Sequence, residues 1–443
     1  MIESLGIISN PAGIIFNMKQ QDEESCVSFQ FRHSQDYSGS EEILIGVVCY
    51  ASHDQLRVAI SAEHDSIQKA IEDNEVIDPD TTTQPIRGAD RKSGLSDDGI
   101  THQDSFEKFL AETGLDEIDL LAPLRLDRIY IPKPWGQEIW YTGIEERGIC
   151  SVQGVPLPWL LEAAGSVITG TKTLTPILLK ILDPLPEEVM GDLYFELHQE
   201  KREVYIVTHI DEEAWPDSIG KIRYGFNPEK IRSYEKEQQF KSAYLACVEE
   251  YREVRNKIDG DPRETNPELI AKEIILRNKM DEFTSLKSLI VGDVIQVQPY
   301  TPHSLQHGVR VIEFQTPHYE RFILSFGQKV LTQDHWDTKQ ALECVNFNIS
   351  NEPIQSRDAT AQGLIADFEE FTVNRLVLEQ GTRKIVETST YSLIIGVLGT
   401  VEVNNITIQP EDGVYIPACV NSIQISNAKP ELATVLLAQP NTL

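Results

Sequence analysis

Hydrophobic residues alternate with polar ones over short spans in most of the chain and recur at helical spacing in one central stretch. In residues 1–65, Ile43-Leu44-Ile45-Gly46-Val47-Val48-Cys49-Tyr50 is a continuous apolar run and Leu56-Arg57-Val58-Ala59-Ile60 alternates, which predicts a small β-rich N-terminal domain. Residues 66–120 shift to Asp, Thr, Ser, Gly and Gln, as in Asp78-Pro79-Asp80-Thr81-Thr82-Thr83. Such a stretch buries too little apolar area to offset its ordering entropy, so it reads as an acidic flexible linker with a short helix near Ser105 to Thr113. Beyond it, Leu126 to Tyr130 reads as a strand. Pro132 to Trp140, with a Trp on either side of Gly136, reads as a stiff loop, and Thr175 to Asp183 as a buried strand.

The period changes over 228–286. Phe240, Tyr244, Cys247, Tyr251, Val254 and Ile258 recur every three or four positions, the pattern of an amphipathic helix whose tyrosine stripe faces a core. Gly260-Asp261-Pro262 breaks that helix, and Asn266-Pro267 starts a second one carrying Leu269, Leu276, Met280 and Phe283. Strand patterns then return at Gly292 to Val297, Val309 to Phe314 and Phe322 to Leu324. They continue at Leu376 to Leu378, Tyr391 to Val397, Gly399 to Val403 and Gly413 to Pro417. Short strands set apart by Gly, Asn and Pro turns predict a sandwich or barrel. No histidine follows His335, so no imidazole-based metal site can lie within the last hundred residues.

A chain of 443 residues exceeds one core and should hold two to four domains. The formal charge of −31 argues against nucleic acid and anionic membranes as partners, while leaving room for a small anion in a local basic pocket. The six cysteines are scattered with no CxxC pair, as expected for reduced thiols. No apolar run reaches about 18 residues and no basic-then-apolar pattern opens the chain, so a soluble cytoplasmic protein is expected.

Candidate chemistry centres on Glu196-Leu197-His198-Gln199-Glu200-Lys201-Arg202-Glu203, followed by the β-branched and aromatic run Val204 to Val207. The pattern predicts a hairpin: strand, tight polar turn, return strand. Period-2 alternation puts Glu196 and His198 on one face, with Glu203 able to point back at them. Two carboxylates and an imidazole on one face begin a metal site; a solvated charged hairpin is the plainer alternative. Pro299-Tyr300-Thr301-Pro302-His303 is a tight turn that presents a second imidazole.

Taken together, these segments resemble type I mannose-6-phosphate isomerases, a zinc-dependent family of the cupin superfamily. The family carries a PWG motif, a PLLxKxLDA strand, a QVHP strand and a GKxE turn. It also carries a GDxxxVPAGTPH turn and, beyond it, a Glu-containing strand and an Arg. Here the counterparts are Lys133-Pro134-Trp135-Gly136, Pro176 to Asp183, Glu196-Leu197-His198, Lys201-Arg202-Glu203, Gly292 to His303, Glu313 and Arg321, in that order, over roughly residues 128–440. The resemblance implies a mainly β fold of tandem cupin-like jelly-roll barrels. A metal-binding barrel would span 121–349 with a helical insertion at 228–286, and a second barrel without metal 350–443. It implies a metal held by Glu196, His198, Glu203 and His303, and Lys201, Glu313 and Arg321 around a sugar phosphate. Trp135 could wall the pocket, although packing is its plainer role.

The reaction implied is interconversion of mannose 6-phosphate and fructose 6-phosphate by proton transfer through an enediol(ate). A metal would serve as Lewis acid and a positioned base would be worth about 10²–10⁴-fold. A guanidinium fork such as that of Arg321 suits a phosphate. The chain departs from the family at Glu196, where a Gln is usual, so Zn²⁺ is joined by Mn²⁺ or Fe²⁺ as candidate ions. It departs again at Gln199, at Gln298-Pro299-Tyr300 and in the short connection from Glu313 to Arg321. Two other readings stay open: a cupin metalloenzyme of another reaction or sugar, and a cupin that binds a sugar phosphate without turning it over.

Overall fold

The computed structural model describes residues 2–21, 23–34, 42–62, 101–145, 147–260, 266–330, 333, 335–348 and 361–441. The stretch expected to be a linker falls mostly outside them, but its short helix is present as His102–Thr113, closed by a Thr101 capping box. The chain forms two compact units, Met1–Ile129 with Tyr141–Ile177 and Gln362–Leu443, and Tyr130–Trp140 with Leu178–Ala361. Among the described residues, no helix is long and apolar enough to cross a membrane.

Two facing sheets make up the second unit. One has six strands in the order Val294–Val297, Glu203–Ile210, Val309–Gln315, Leu178–Pro184, Gly136–Trp140 and Ile129–Lys133. The other has five, in the order Thr284–Leu289, Gly220–Phe226, His303–Leu305, Phe195–Leu197 and Phe322–Ser325. Alternate residues of both sheets, among them Leu182, Tyr205, Val207, Ile222, Tyr224, Ile295, Leu305, Val311 and Ile323, fill one apolar core.

This arrangement corrects two expectations. Glu196 to Val207 is not a hairpin, because Phe195–Leu197 pairs with His303–Leu305 and Phe322–Ser325, while Glu203–Ile210 pairs with Val294–Val297 and Val309–Gln315 in the other sheet. Residues 198–202 are therefore a corner between sheets. The segment read as a stiff loop around Trp135 is itself a turn between two strands. Gly136 sits there at φ +144°, where a Cβ would come within 2.3 Å of the Asp183 carbonyl oxygen.

The inserted helices are Glu237–Gly260 and Pro267–Asp281, the second capped by Asn266 with Pro267 at its first position. Phe240, Tyr244, Tyr251, Leu276 and Met280 pack on Phe195, Leu197, Phe226 and Leu324 of the five-stranded sheet. The tyrosine stripe is core, as its spacing suggests; Tyr244 reaches Ser325 at 3.1 Å and Tyr251 reaches Glu273 at 2.9 Å.

In the first unit, strands Glu3–Ile7, Ser25–Ser34, Glu42–Ala51, Leu56–Ser61 and Ile118–Asp119 form one sheet. The helix Pro11–Gln20 has no counterpart in the sequence reading, although Asn10-Pro11 repeats the capping signature recognised at Asn266-Pro267. The rest of this unit is a sandwich of an eight-stranded and a four-stranded sheet. Leu378, Ile394, Val401, Val403, Val414, Ile416, Ile423, Ile425 and Leu437 fill its interior.

Candidate metal centre

Glu196 and His303 are direct cross-strand partners in the five-stranded sheet, and His198 follows at the corner where the chain leaves it. One ligating atom from each of Glu196, His198 and His303 lies within 4.8 Å of the other two. Glu203 enters from the facing sheet, with Oε1 3.7 Å from His198 Nε2 and Oε2 3.0 Å from His303 Nε2. The separation into two sheets thus brings Glu203 to the imidazoles, as the hairpin reading supposed, but by a different route.

Hydrogen bonds fix how the two imidazoles present themselves. His198 Nδ1–H donates to the Glu320 carbonyl at 2.7 Å, and His303 Nδ1–H donates to the Thr301 carbonyl at 3.0 Å. A carbonyl only accepts, so each Nδ1 carries a proton, and in the neutral ring that leaves the Nε2 lone pair turned inward. Burial holds His198 well below the usual imidazole range, a shift aided by Lys201, which keeps it neutral. Its Nε2 and Glu196 Oε2 are buried with no hydrogen-bond partner. Inward lone pairs facing carboxylate oxygens leave a small electron-rich space that fits a divalent cation.

Glu203 is the most occupied of the four expected ligands. Lys201 Nζ lies 2.7 Å from Oε1, and the Tyr205 hydroxyl donates to Oε2 at 2.8 Å while lying 3.1 Å from His303 Nε2. Burial alone would raise its pKa, yet the Lys201 charge beside it holds it well below the ordinary carboxylate value. Lys201 is buried, not the surface ion pair that its flanking glutamates also allowed.

Glu313 lies on the central strand of the six-stranded sheet, opposite both Lys180 and Tyr205. It is fully buried, and burial with the nearby Glu203 charge pushes it well above its ordinary pKa despite Lys180 Nζ at 3.2 Å. Two neighbouring carboxyl groups are thereby driven apart in pKa, Glu203 downward and Glu313 upward, the kind of division acid–base chemistry uses. Arg321 opens the strand Phe322–Ser325 with its guanidinium 4.9 Å from the Tyr194 ring centroid. Trp135 is only 2% exposed and belongs to the apolar core, so it is a packing residue and not a pocket wall.

Three groups near these residues went unremarked in the sequence. Lys180 sits between Leu178-Leu179 and Ile181-Leu182 in a buried strand, a signal legible in the sequence. Glu138 accepts from Trp140 Nε1 at 2.7 Å and lies 3.3 Å from Lys133 Nζ. Lys180 and Lys133 pull its pKa down against the opposing effect of burial. Tyr205, two residues after Glu203, shares its face by simple alternation. His307 and His335 pair with Asp192 and Asp337.

No family model matches the chain, and no curated protein matches it either. Solved structures do. The mannose 6-phosphate isomerase of Bacillus subtilis is similar at 14% identity over 72% of this chain and 99% of its own, with a TM-score of 0.53. The apo mannose 6-phosphate isomerase of Salmonella typhimurium is similar at 12% over 72% and 99%, with a TM-score of 0.54. A zinc-bound mannose 6-phosphate isomerase is similar at 11% over 72% and 100%, with a TM-score of 0.53. The chain thus has the cupin fold of these isomerases, the one implied by its motifs.

Proposed function

We propose that this protein is a metal-dependent aldose–ketose isomerase acting on a hexose 6-phosphate, with mannose 6-phosphate and fructose 6-phosphate as the pair interconverted. The observation that carries this reading is the convergence of Glu196, His198 and His303, with His198 Nε2 and Glu196 Oε2 buried and without hydrogen-bond partners. Glu203 completes the ligand set. Zn²⁺ is the leading ion, and a first shell with two carboxylates widens the choice to Mn²⁺ or Fe²⁺. When bound, the ion supplies Lewis acidity toward the substrate oxygen on which negative charge develops.

The chain's own groups do the rest. Glu313, with a raised proton affinity, can take a proton from one substrate carbon in its ionised form and return it to the neighbouring carbon. Lys201 neutralises Glu203 and lies where a substrate oxygen can meet its remaining N–H groups. Arg321 offers a planar fork to the phosphate. The 2-His-1-carboxylate arrangement of Glu196, His198 and His303 favours one second reading, a cupin metalloenzyme with a different reaction.

The test is elemental analysis of the purified full chain beside His303→Ala, followed by a coupled assay of fructose 6-phosphate formation. About one Zn, Mn or Fe per chain, lost in the variant, together with turnover of mannose 6-phosphate, is the expected result. Metal without turnover favours the second reading. Absence of metal in both samples, even after incubation with Zn²⁺ and Mn²⁺, overturns both enzyme readings and leaves a sugar-phosphate-binding cupin.

A further inference from the structure

The corner at residues 198–200 is held by one residue from another element. Glu320 accepts from His198 Nδ1–H through its backbone carbonyl at 2.7 Å. Its carboxylate Oε1 accepts from the backbone N–H of Gln199 and, at 3.3 Å, of Glu200. On the opposite side the Tyr300 N–H donates to the His198 carbonyl at 2.6 Å, so the corner is fixed from two directions. Immediately after Glu320 comes Arg321, and the next residue, Phe322, is the cross-strand partner of Leu197. The imidazole thought to bind the metal and the guanidinium thought to bind the phosphate are therefore joined through a single residue that touches neither ligand.

We propose that Glu320 is a positioning residue that sets His198 for metal binding and couples that binding to anion binding at Arg321; the coupling rests on the metal and phosphate roles assigned above. A backbone carbonyl that receives Nδ1–H selects the tautomer whose Nε2 is free to ligate, the outer-shell device by which proteins orient metal-binding histidines. An anion whose binding at Arg321 shifts its backbone moves the Glu320 carbonyl too, because the two share one peptide unit, and that carbonyl fixes the ring. Coupling of this kind is reciprocal: metal should tighten anion binding by the same factor that anion tightens metal binding. The two hydrogen bonds from the corner amides make the side chain part of the device, because without them the 198–200 backbone is free to carry the ring away.

The experiment uses the full chain as wild type, Glu320→Ala and Glu320→Gln, with folding checked by circular dichroism. Hydrogen exchange by mass spectrometry follows the amides of residues 199–200 in metal-free protein. Competition with a chromophoric chelator gives the Zn²⁺ affinity with and without mannose 6-phosphate.

Glu320→Ala is expected to speed exchange at the corner and to weaken Zn²⁺ binding by about 10–100-fold. It should also abolish a ligand-dependent tightening of Zn²⁺ of about 5-fold or more in the wild type. Glu320→Gln, which keeps an acceptor oxygen, should restore much of all three. A folded Glu320→Ala protein with wild-type exchange and wild-type Zn²⁺ affinity overturns the positioning role. Equal tightening by the sugar phosphate in wild type and Glu320→Ala overturns the coupling. Protein that binds no metal fails the proposed function instead, while the exchange result still decides whether Glu320 holds the corner.

Discussion

Between the sheets of the second unit, Lys180, Glu203, Tyr205 and Glu313 lie among the core residues, all of them buried. In the sandwich of the first unit, strands built on the same alternation place Ile394, Val403, Val414, Ile416, Ile425 and Leu437 in its interior. Each buried aliphatic side chain there stabilises the fold by about 1.5–3 kcal/mol. A buried ion, by contrast, costs several kcal/mol in desolvation, which its partners only partly offset. One β-sandwich architecture thus holds a mostly aliphatic interior in one place and, in the other, a cluster of buried ionisable groups beside the proposed metal ligands.

Substitutions can break this contrast, and the largest effect is expected at Glu313. Glu313→Gln keeps the shape and the protonated-like hydrogen bonding but cannot move a proton, so turnover of mannose 6-phosphate should fall about 10²–10⁴-fold in the coupled assay. Its stability should respond to pH in the opposite sense from that of an ordinary paired carboxylate. Because the folded pKa lies well above the usual 4.5, the native state binds more protons than the unfolded chain above that value. Wild-type stability therefore drops as pH rises from about 4.5 toward the folded pKa, and Glu313→Gln should flatten that slope in denaturant titrations.

In the other interior the effect should be on stability alone. Leu437→Ala leaves a cavity and should cost about 2–5 kcal/mol by urea unfolding, with metal content per folded chain unchanged. A loss of metal in that variant would show that the two interiors are not independent. Adding Zn²⁺ at about 100 times its dissociation constant should stabilise the wild type by about 2.7 kcal/mol and His303→Ala by none, as read by thermal unfolding.

The smallest change is expected at Tyr300, which holds φ +64° in the left-handed region that favours glycine. Tyr300→Gly removes steric strain but frees the unfolded chain, so stability should shift by no more than about 1 kcal/mol. The N–H that supports His198 remains in either case, and Zn²⁺ affinity should be kept.

Much of this was open to inspection in the sequence. Strand positions follow from alternation, the helical pair from spacings of three and four with its Asn-Pro start, and His198 and His303 from the motifs around them. Their burial could be anticipated too, since each sits beside strand residues that must face a core. The helix at Pro11–Gln20 carried the same start signal and was passed over because the neighbouring runs read as β.

Tertiary structure alone decided the rest, because period-2 alternation tells which face a side chain takes and not which sheet its strand joins. Glu196 and Glu203 read as neighbours on one hairpin, yet they lie on two different sheets, paired with strands more than a hundred residues away, and Glu203 reaches the two imidazoles from the facing sheet. Trp135 resembles a pocket residue by motif and becomes core by packing. Glu320 has no signature at all: a backbone carbonyl that orients an imidazole depends on where a loop passes, and that path is fixed only when the strands on either side have paired.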